Sequence, residues 1–496
     1  MYSCPGVFLA VAMSAVGADH SIIVGHQKQL FLDDYLVASM VNVQRQIHPA
    51  KKYAGNPLLW PREPWEGKVA ILYGSVLRDG DKYRMWYHNG TGVAYAESVD
   101  GLRWTKPPLG LFEIDGRKTN TVVKRDAKSG EPNAIPHFHE IFGVYKDMRD
   151  PDPSRRYKMG FLSIGPSEKG QLEDPFHHGQ RRGLGVAGSP DGIHWKLITS
   201  WSTDAICDGG TYWFFDCRAN KYVLYGRTKF VSPGLLDQWH ADSWVERHYW
   251  GRSVARVESP DFLHWNITKP AAAPVVMTAD AKDQPGDEIY SMFVFPYESV
   301  FIALVQVFHN RPDACYLDIQ LAVSHDSIHF ARVGNRNPFL PCGPVGCWDR
   351  FNNSVANNLP IAVGNELWFY YGGRTYRHSP YTGPDKGEPG GGIGLAVVKR
   401  DRFVSLAASF APGTIVTKPV RFHGTTLHVN AAAPFGRIIV ELLDGSGQVI
   451  AKSRPIRKDA LDIPVKWQYG SLPDSHRPVT MRLTLINAHL YAFWSE

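Results

Sequence analysis

One short motif occurs four times along the chain and constrains its fold more than any other feature. Each copy has a serine two residues before an aspartate and ends in an aromatic residue, as in Ser189-Pro190-Asp191-Gly192-Ile193-His194-Trp195. The other copies begin at Ser98, Ser259 and Ser324, and a degenerate fifth lies around Asp401. Repetition at intervals of roughly 65 to 90 residues indicates an architecture built from similar supersecondary units.

Alternating apolar segments precede each motif. In the first unit these are Val69–Leu77, Lys82–His88 and Gly92–Tyr95, with a hairpin signal at Asp79-Gly80. Similar segments recur four more times, which predicts five units of about four antiparallel strands, the size of a propeller blade. Inside the motif, aspartate can accept bonds from turn amides, glycine can take positive φ, and tryptophan can wedge between sheets. The motifs therefore report an all-β fold, a five-bladed β-propeller, and no chemistry of their own.

The pattern changes near residue 410. Short alternating segments such as Arg437–Leu443 and Val479–Leu485 follow, separated by turn signals at Asp444-Gly445 and Gly470. We expect residues 19–410 to form the propeller, the part that holds any catalytic site, and residues 411–496 to form a small C-terminal β-sandwich. Residues 19–49 are expected to close the propeller by adding a strand to its last blade.

The N-terminus resembles an export signal. Val7–Met13 is a short apolar core, and Val16-Gly17-Ala18 provides small residues for cleavage before Asp19. Residues 1–18 are therefore expected to be a signal peptide, and the protein to be secreted or periplasmic. A formal net charge of +6 without a basic run argues against nucleic acid as a partner, and no later segment is apolar enough for membrane insertion.

Five cysteines remain after that segment, and their odd number excludes complete pairing within one chain. Cys342 with Cys347, and Cys207 with Cys217, are the pairs that an oxidising compartment would allow. No cysteine and histidine spacing matches a zinc site.

Acidic residues stand just before the innermost strand of each predicted blade. In a propeller these positions converge on one mouth of a central funnel, so their carboxylates would share a pocket and their pKa values would separate. Such a pair is what glycoside cleavage needs. The other interpretation, that each acid only bonds turn amides, remains open for every one of them. The residues are Glu66, Glu140, Asp208, Asp287, Glu288 and Asp349.

Several other side chains are candidates for sugar binding. Aromatic residues in loops can stack on sugar faces, and arginine or histidine can bind hydroxyl or anionic groups. The long segment Ser167–Arg182 is expected to be a surface loop or a lid. The predicted substrate-binding residues are Asp34, Arg62, Trp65, His139, Arg227, Trp239, His240, Glu288 and Asp349.

The repeated pattern of Lys82–Tyr87 followed by Ala96–Trp104, together with the entry Asn56-Pro57-Leu58-Leu59, resembles the five-bladed propeller glycoside hydrolases of families 32, 43, 68 and 130. A propeller followed by a sandwich is closest in layout to family 32. By position, the resemblance implies a base or nucleophile at Glu66, a tuning acid at Glu140 and a general acid at Asp208. The chain lacks the Asn-Asp-Pro-Asn-Gly entry and the Glu-Cys pair of invertases, so fructoside activity is not expected.

The sequence therefore predicts a secreted glycoside hydrolase that cleaves a plant or algal polysaccharide or oligosaccharide. One alternative is a carbohydrate-binding propeller without catalysis. Another is a glycoside phosphorylase, whose phosphate would need cations such as Arg62, His139 and Arg227. No cofactor is required, although a structural Ca²⁺ on the propeller axis is compatible with this interpretation. Carbohydrate is the expected partner, and the sequence does not predict an oligomeric state.

Overall fold

The computed structural model describes residues 21–167, 179–203, 207–267 and 273–496. The predicted signal peptide and most of the predicted lid lie outside the described residues. Within them the chain is nearly all β, which confirms the all-β class that the sequence predicts. The α-helices are Leu235–Gln238 and Ser243–His248, and short 3-10 turns lie at Pro64–Glu66, Pro153–Arg155 and Gly334–Arg336. None of the described helices is long and apolar enough to cross a membrane.

Five antiparallel sheets follow one another along the chain, and we number them in that order. Sheet 1 begins within a few residues of the first predicted segment, Val69–Leu77. Sheet 1 contains Ile71–Asp79, Lys82–His88, Gly92–Ser98 and Thr121–Lys124, and sheet 2 contains Phe138–Lys146, Tyr157–Pro166, Gln180–Ser189 and Lys196–Thr203. Sheet 3 contains Tyr212–Asp216, Lys221–Lys229, Arg252–Ser259 and Val275–Met277, and sheet 4 contains Asp287–Tyr297, Val300–His309, Tyr316–Ser324 and Ala331–Arg332. Sheet 5 contains Ser354–Val355 and Ile361–Val363, both paired with Glu366–Arg374, and then Gly391–Lys399 and Lys51–Lys52.

Sheets 1 to 4 are meanders in which consecutive strands run in opposite directions. In sheet 5, Ser354–Val355 and Ile361–Val363 both run antiparallel to Glu366–Arg374, which in turn runs antiparallel to Gly391–Lys399. The beginning of the first strand, the end of the second and the beginning of the third therefore lie at the same edge of a sheet. Residues at those positions meet even when the sequence separates them widely.

The repeated motif forms the turn after the third strand of each sheet. In the first copy, Ser98 Oγ accepts from the Gly101 amide at 2.8 Å, and Asp100 Oδ1 accepts from the Leu102 and Arg103 amides at 2.8 Å. Gly101 has a φ of +74°, the left-handed region in which glycine is the least strained residue. The same bonds recur around Asp191, Asp261 and Asp326. The motif thus has the structural role predicted for it.

Each motif turn also contacts the preceding sheet, and the first turn contacts the fifth sheet. The contacts form a closed cycle, because sheet 1 packs on sheet 5 and every other sheet packs on the one before it. The five hydrogen bonds are Tyr370 Oη to the Gly101 carbonyl at 2.8 Å, Trp86 Nε1 to the Gly192 carbonyl at 2.7 Å, Trp265 Nε1 to Ser202 Oγ at 3.1 Å, Tyr225 Oη to the Ser327 carbonyl at 2.7 Å, and Tyr297 Oη to Asp401 Oδ1 at 2.6 Å.

Two further sheets combine strands from both ends of the chain. One contains Asp459–Pro464, Leu427–Ala432, Ala488–Ser495, Val404–Ala408, Gln44–Ile47 and Gln29–Leu30; the other contains Val37–Val41, Gly413–Thr417, Thr480–Ile486, Arg437–Leu443, Val449–Ser453 and Trp467–Tyr469. Alternating residues of both sheets, such as Val429 and Leu483, share one buried core. Two small pairs complete the structure, Ile22–Val24 with Val420–Phe422 and Glu113–Ile114 with Arg117–Lys118.

The expectation that residues 19–49 add a strand to the last of the five sheets was wrong. Strands within residues 22–47 pair with C-terminal strands, and only the following segment, Lys51–Lys52, adds to sheet 5. The apolar side chains Val24, Phe31 and Leu36 enter the core between the two C-terminal sheets, which is where their burial is most favourable.

Cys217, Cys342 and Cys347 each carry a free thiol, so neither predicted disulfide is formed. The thiol of Cys342 lies 3.1 Å from the Leu317 carbonyl and donates to it, rather than bonding to Cys347.

Candidate active site

Two acidic residues, Glu140 and Asp208, are brought together by equivalent positions in neighbouring sheets. Glu140 is the third residue of the first strand of sheet 2, and Asp208 lies in the turn just before the first strand of sheet 3. Arg227 lies near the end of the second strand of sheet 3, at the same edge. These are the positions that the meander pattern makes converge.

Asp208 is held by arginines and stays ionised. Arg227 contacts Asp208 Oδ2 through one guanidinium nitrogen and donates to the Gly209 carbonyl at 2.7 Å through the other. Arg182 lies 3.6 Å from Asp208 Oδ1, and the Gly209 amide donates to that oxygen at 2.8 Å. Burial raises the pKa of Asp208, but Arg227, Arg182 and the Gly209 amide outweigh it, so that the pKa lies below its ordinary value.

Glu140 has the opposite electrostatic environment. Burial, reinforced by the negative charge of Asp208, raises the pKa of Glu140 to about 7 against the partial opposition of Arg374, Arg125 and Arg227. Its close packing depends on Gly209, because a Cβ there would lie 3.0 Å from Glu140 Oε1 and 3.1 Å from the Tyr73 ring. The two neighbouring carboxyl groups therefore differ in protonation near neutral pH, as an acid and base pair must.

Tyrosine and arginine side chains surround the pair. Arg227 stacks over the Tyr290 ring at 4.0 Å, and Arg374 donates to the Tyr73 hydroxyl at 3.3 Å. Burial and nearby Tyr290 raise the pKa of the Tyr73 hydroxyl, so this hydroxyl remains protonated and can donate or accept a hydrogen bond. Trp244 packs against the buried cluster that contains Tyr290 and Phe308.

A histidine pair continues the site on the side of sheets 1 and 2. Arg125 donates to the His139 carbonyl at 3.2 Å and to His88 Nε2 at 2.8 Å. Burial and then Arg125 lower the pKa of both histidines, to about 3 for His88. Both imidazoles are therefore neutral at physiological pH and can bind hydroxyl groups but add no charge.

Glu66 ends the 3-10 turn that precedes sheet 1, and hydrogen-bond donors surround its carboxylate. Its Oε2 accepts from the Arg62 and Glu63 amides at 3.0 Å and pairs with Lys106 Nζ at 2.5 Å, while Tyr87 Oη donates to Oε1 at 2.7 Å. The side chain is completely buried. This set of donors is typical of a structural carboxylate, and the catalytic role predicted for Glu66 stays a prediction that the geometry does not favour.

Three more predicted acids also have structural partners. Glu288 is buried and accepts from Arg252 at 2.8 Å, and Asp349 pairs with Lys52 at 2.5 Å. Asp34 is mostly exposed and pairs with Arg45 at 2.7 Å, on a surface groove formed with the N-terminal segment. None of these partners is shared with Glu140.

The remaining predicted binding residues are dispersed. Trp239 is buried against Leu235 and Ala279, so its ring is not free to stack on a sugar. Trp65 donates to Asn120 at 3.1 Å and is half-buried, while Arg62 and His240 are exposed. Of the predicted substrate-binding residues, His139 and Arg227 are the two that lie with Glu140 and Asp208.

Sequence reasoning missed the arginines and tyrosines that complete the site. Their positions along the strands could have identified them. Each lies at the same edge of its sheet as Glu140 does, at the beginning of a first or third strand or at the end of a second or fourth strand. These residues are Tyr73, Arg125, Arg182, Tyr290 and Arg374.

Among the described residues, no group of three or more histidine, cysteine, aspartate or glutamate side chains is placed to hold a metal ion.

The chain matches no family model and no curated protein. Among solved structures it is similar to an N-acetylgalactosamine deacetylase from F. plautii in complex with blood group B trisaccharide, at 15% identity and a TM-score of 0.40 over 77% of this chain and 96% of that chain. It is also similar to a thermostable family-43 glycoside hydrolase, at 14% identity and a TM-score of 0.43 over 69% and 95% of the two chains. A Bombyx mori GH32 beta-fructofuranosidase matches at 8% identity and a TM-score of 0.38 over 90% and 94%.

These matches include families 32 and 43, which the sequence motifs resemble. Because all the identities lie below 25% and all the TM-scores below 0.5, we base no functional conclusion on them.

Proposed function

We propose that this protein is a glycoside hydrolase in which Glu140 is the general acid and Asp208 the base or nucleophile. The observation that carries this proposal is the opposite displacement of two neighbouring carboxyl pKa values, upward to about 7 for Glu140 and downward for Asp208. A proton donor and an ionised carboxylate on either side of a scissile bond are the groups that glycoside cleavage uses.

We further infer the architecture that would gather these residues. The closed cycle of contacts among five meander sheets supports a five-bladed propeller, and the shared core of the two remaining sheets supports a β-sandwich. The division at residue 410, the export of the protein and the plant or algal origin of its glycan stay predictions.

In the proposed reaction, Glu140 gives its proton to the glycosidic oxygen as that bond breaks. The ionised Asp208 stabilises the positive charge that develops on the anomeric carbon, and either attacks that carbon or removes a proton from the attacking water. Arg227 keeps Asp208 ionised and fixes the turn at Gly209, so it is a positioning residue. Compared with the roles that the family resemblance implied, Glu140 replaces Asp208 as the acid, and Glu66 has no part.

The test uses the full-length protein with natural glycans and with aryl glycosides that carry a good leaving group. We expect Glu140→Gln to lose about 10²- to 10⁴-fold in kcat on natural glycans and much less on the aryl glycosides, which need little protonation. Asp208→Asn should lose activity on both. Asp81→Asn, at an exposed hairpin position, is the matched control. Full activity of both site variants would overturn the proposal, and saturable sugar binding without any cleavage would favour a binding protein instead.

A further inference from the structure

We propose that Arg125 and Arg374 bind an anionic group carried by the sugar, so that the substrate is an acidic saccharide bearing a carboxylate or a sulfate. This inference rests on the proposed function, because it names the substrate class of the same site. The arginines would recognise an oxyanion. That oxyanion belongs to the sugar in this proposal, and free phosphate is the alternative source.

Arg125 and Arg374 differ from the buried arginines elsewhere in the chain. Arg252 pairs with Glu288 at 2.8 Å, Arg332 with Asp283 at 3.2 Å, and Arg227 with Asp208. Each of these guanidinium groups has a carboxylate partner, as buried charges usually require.

Arg125 and Arg374 have only neutral partners among the described residues. Arg125 donates to the His139 carbonyl and to the neutral imidazole of His88, and Arg374 donates to the Tyr73 hydroxyl. No described carboxylate lies within 4.0 Å of either guanidinium, although Glu140 is near enough for both to lower its pKa. Both side chains are only half-buried, and neither has a nitrogen that is both sealed from solvent and unbonded. Their remaining N–H groups are therefore accessible to a ligand.

The described residues of the site carry an excess of positive charge. Arg125, Arg227 and Arg374 lie near the partly protonated Glu140, and Arg227 also pairs with the ionised Asp208. Burial, together with the charges of Arg252, Arg374 and Arg227, lowers the pKa of His378 to about 3. A site with this field attracts an anion and holds it next to the reacting bond.

Guanidinium groups bind planar or tetrahedral oxyanions through paired N–H donors. Two half-exposed arginines beside the acid and base pair match a uronate carboxylate or a sulfate ester on the same sugar. Free phosphate is the less suitable source, because an attacking phosphate would take the place of the base, and the ionised Asp208 would repel it.

The experiment measures equilibrium binding by calorimetry to the full-length Glu140→Gln protein, which removes turnover from the measurement. The probes are oligogalacturonate and oligoglucuronate, their neutral methyl esters, a sulfated oligosaccharide, and inorganic phosphate. We expect one acidic oligosaccharide to bind about 10- to 100-fold more tightly than its neutral counterpart. Added Arg374→Gln or Arg125→Gln should remove most of that preference.

Arg78→Gln is the matched control, because Arg78 is exposed and lies over the Tyr83 ring at 5.9 Å, much as Arg374 lies over the Tyr73 ring at 5.7 Å. It should leave the preference unchanged. Thermal unfolding of each variant checks that the fold is retained.

Equal binding of acidic and neutral oligosaccharides, or an acidic preference that survives both substitutions, would overturn the inference. Cleavage by the wild-type protein that requires inorganic phosphate and yields a sugar phosphate would assign the arginines to free phosphate and would also overturn it. The proposed function and this inference can fail independently of each other. Strong binding preference for acidic oligosaccharides without any cleavage would contradict only the proposed hydrolysis. Glu140-dependent cleavage of neutral glycans would contradict only the acidic substrate.

Discussion

The raised pKa of Glu140 predicts a dependence of stability on pH that needs no substrate to measure. The pKa rises from 4.5 to about 7 on folding, mainly because the side chain is buried and Asp208 lies nearby. The folded state therefore binds the proton more tightly than the unfolded state. This contribution to stability is fully present below pH 4.5 and is lost as the pH rises through 7. At about 1.4 kcal/mol per pH unit, the loss between these limits is about 3 kcal/mol.

Glu140→Gln removes this titration while keeping the shape of the side chain. Relative to wild type, the variant should gain up to about 3 kcal/mol in free energy of unfolding between pH 4.5 and pH 8. The measurement is urea-induced unfolding of both proteins across that pH range, with Asp81→Asn as the exposed control. A wild-type-to-variant difference that is constant from pH 5 to pH 8 would refute the burial argument.

The pKa of Glu140 also sets the alkaline limb of the pH profile of kcat/KM, because only protonated Glu140 can act as an acid. We expect kcat/KM to fall about tenfold per pH unit above pH 7. Asp208 raises the pKa of Glu140 and Arg374 lowers it, so Arg374→Gln should move the limb to higher pH. A shift of that limb to lower pH in Arg374→Gln would show that the two groups do not interact as described.

Three further predictions concern the frame around the site. Gly192→Ala should lower the free energy of unfolding by about 2 kcal/mol or more, because Gly192 has a φ of +80° and the new Cβ would lie 2.6 Å from the Trp86 indole. Gly116→Ala, where φ is +72° and the Cβ would enter open space, should cost only about 1 kcal/mol. Equal losses of the two variants in urea unfolding would contradict this reasoning. Glu66→Gln should destabilise the protein by about 3 kcal/mol, since it removes a buried carboxylate and leaves the half-buried Lys106 without its charge partner. The variant should keep the pH profile of any glycosidase activity, and a lost alkaline or acidic limb would return Glu66 to the catalytic site. Lys158→Met should lower the free energy of unfolding by about 3 to 5 kcal/mol above pH 5, because the buried carboxylates of Asp147 and Asp150 lose the cation that they share. This loss of stability should diminish on acidification as the two carboxylates become protonated. A loss independent of pH would show that packing, not charge, is responsible.

Much of the fold could be predicted from the sequence because its signals are local. The motif around Asp191 specifies a turn through bonds to amides two and three residues away, and alternating apolar segments specify the strands beside it. These local signals also located the strand beginnings where Glu140 and Asp208 lie. They did not show that Gln29–Leu30 pairs with Ala488–Ser495, because nothing in a short edge strand identifies a partner more than 400 residues away.

Local sequence determined that acidic residues stand at the beginnings of several inner strands, but not what each one does. Glu66 and Glu140 occupy comparable positions, and only the tertiary structure gives the first a lysine and three further donors and the second a half-buried place beside Asp208. Protonation and reactivity depend on the charges and solvent within a few ångströms, and the groups that supply them come from separate sheets. The sequence by itself therefore determined the all-β repeat and a set of candidate acids, while the tertiary structure decided which of these acids meet and where the arginines collect around them.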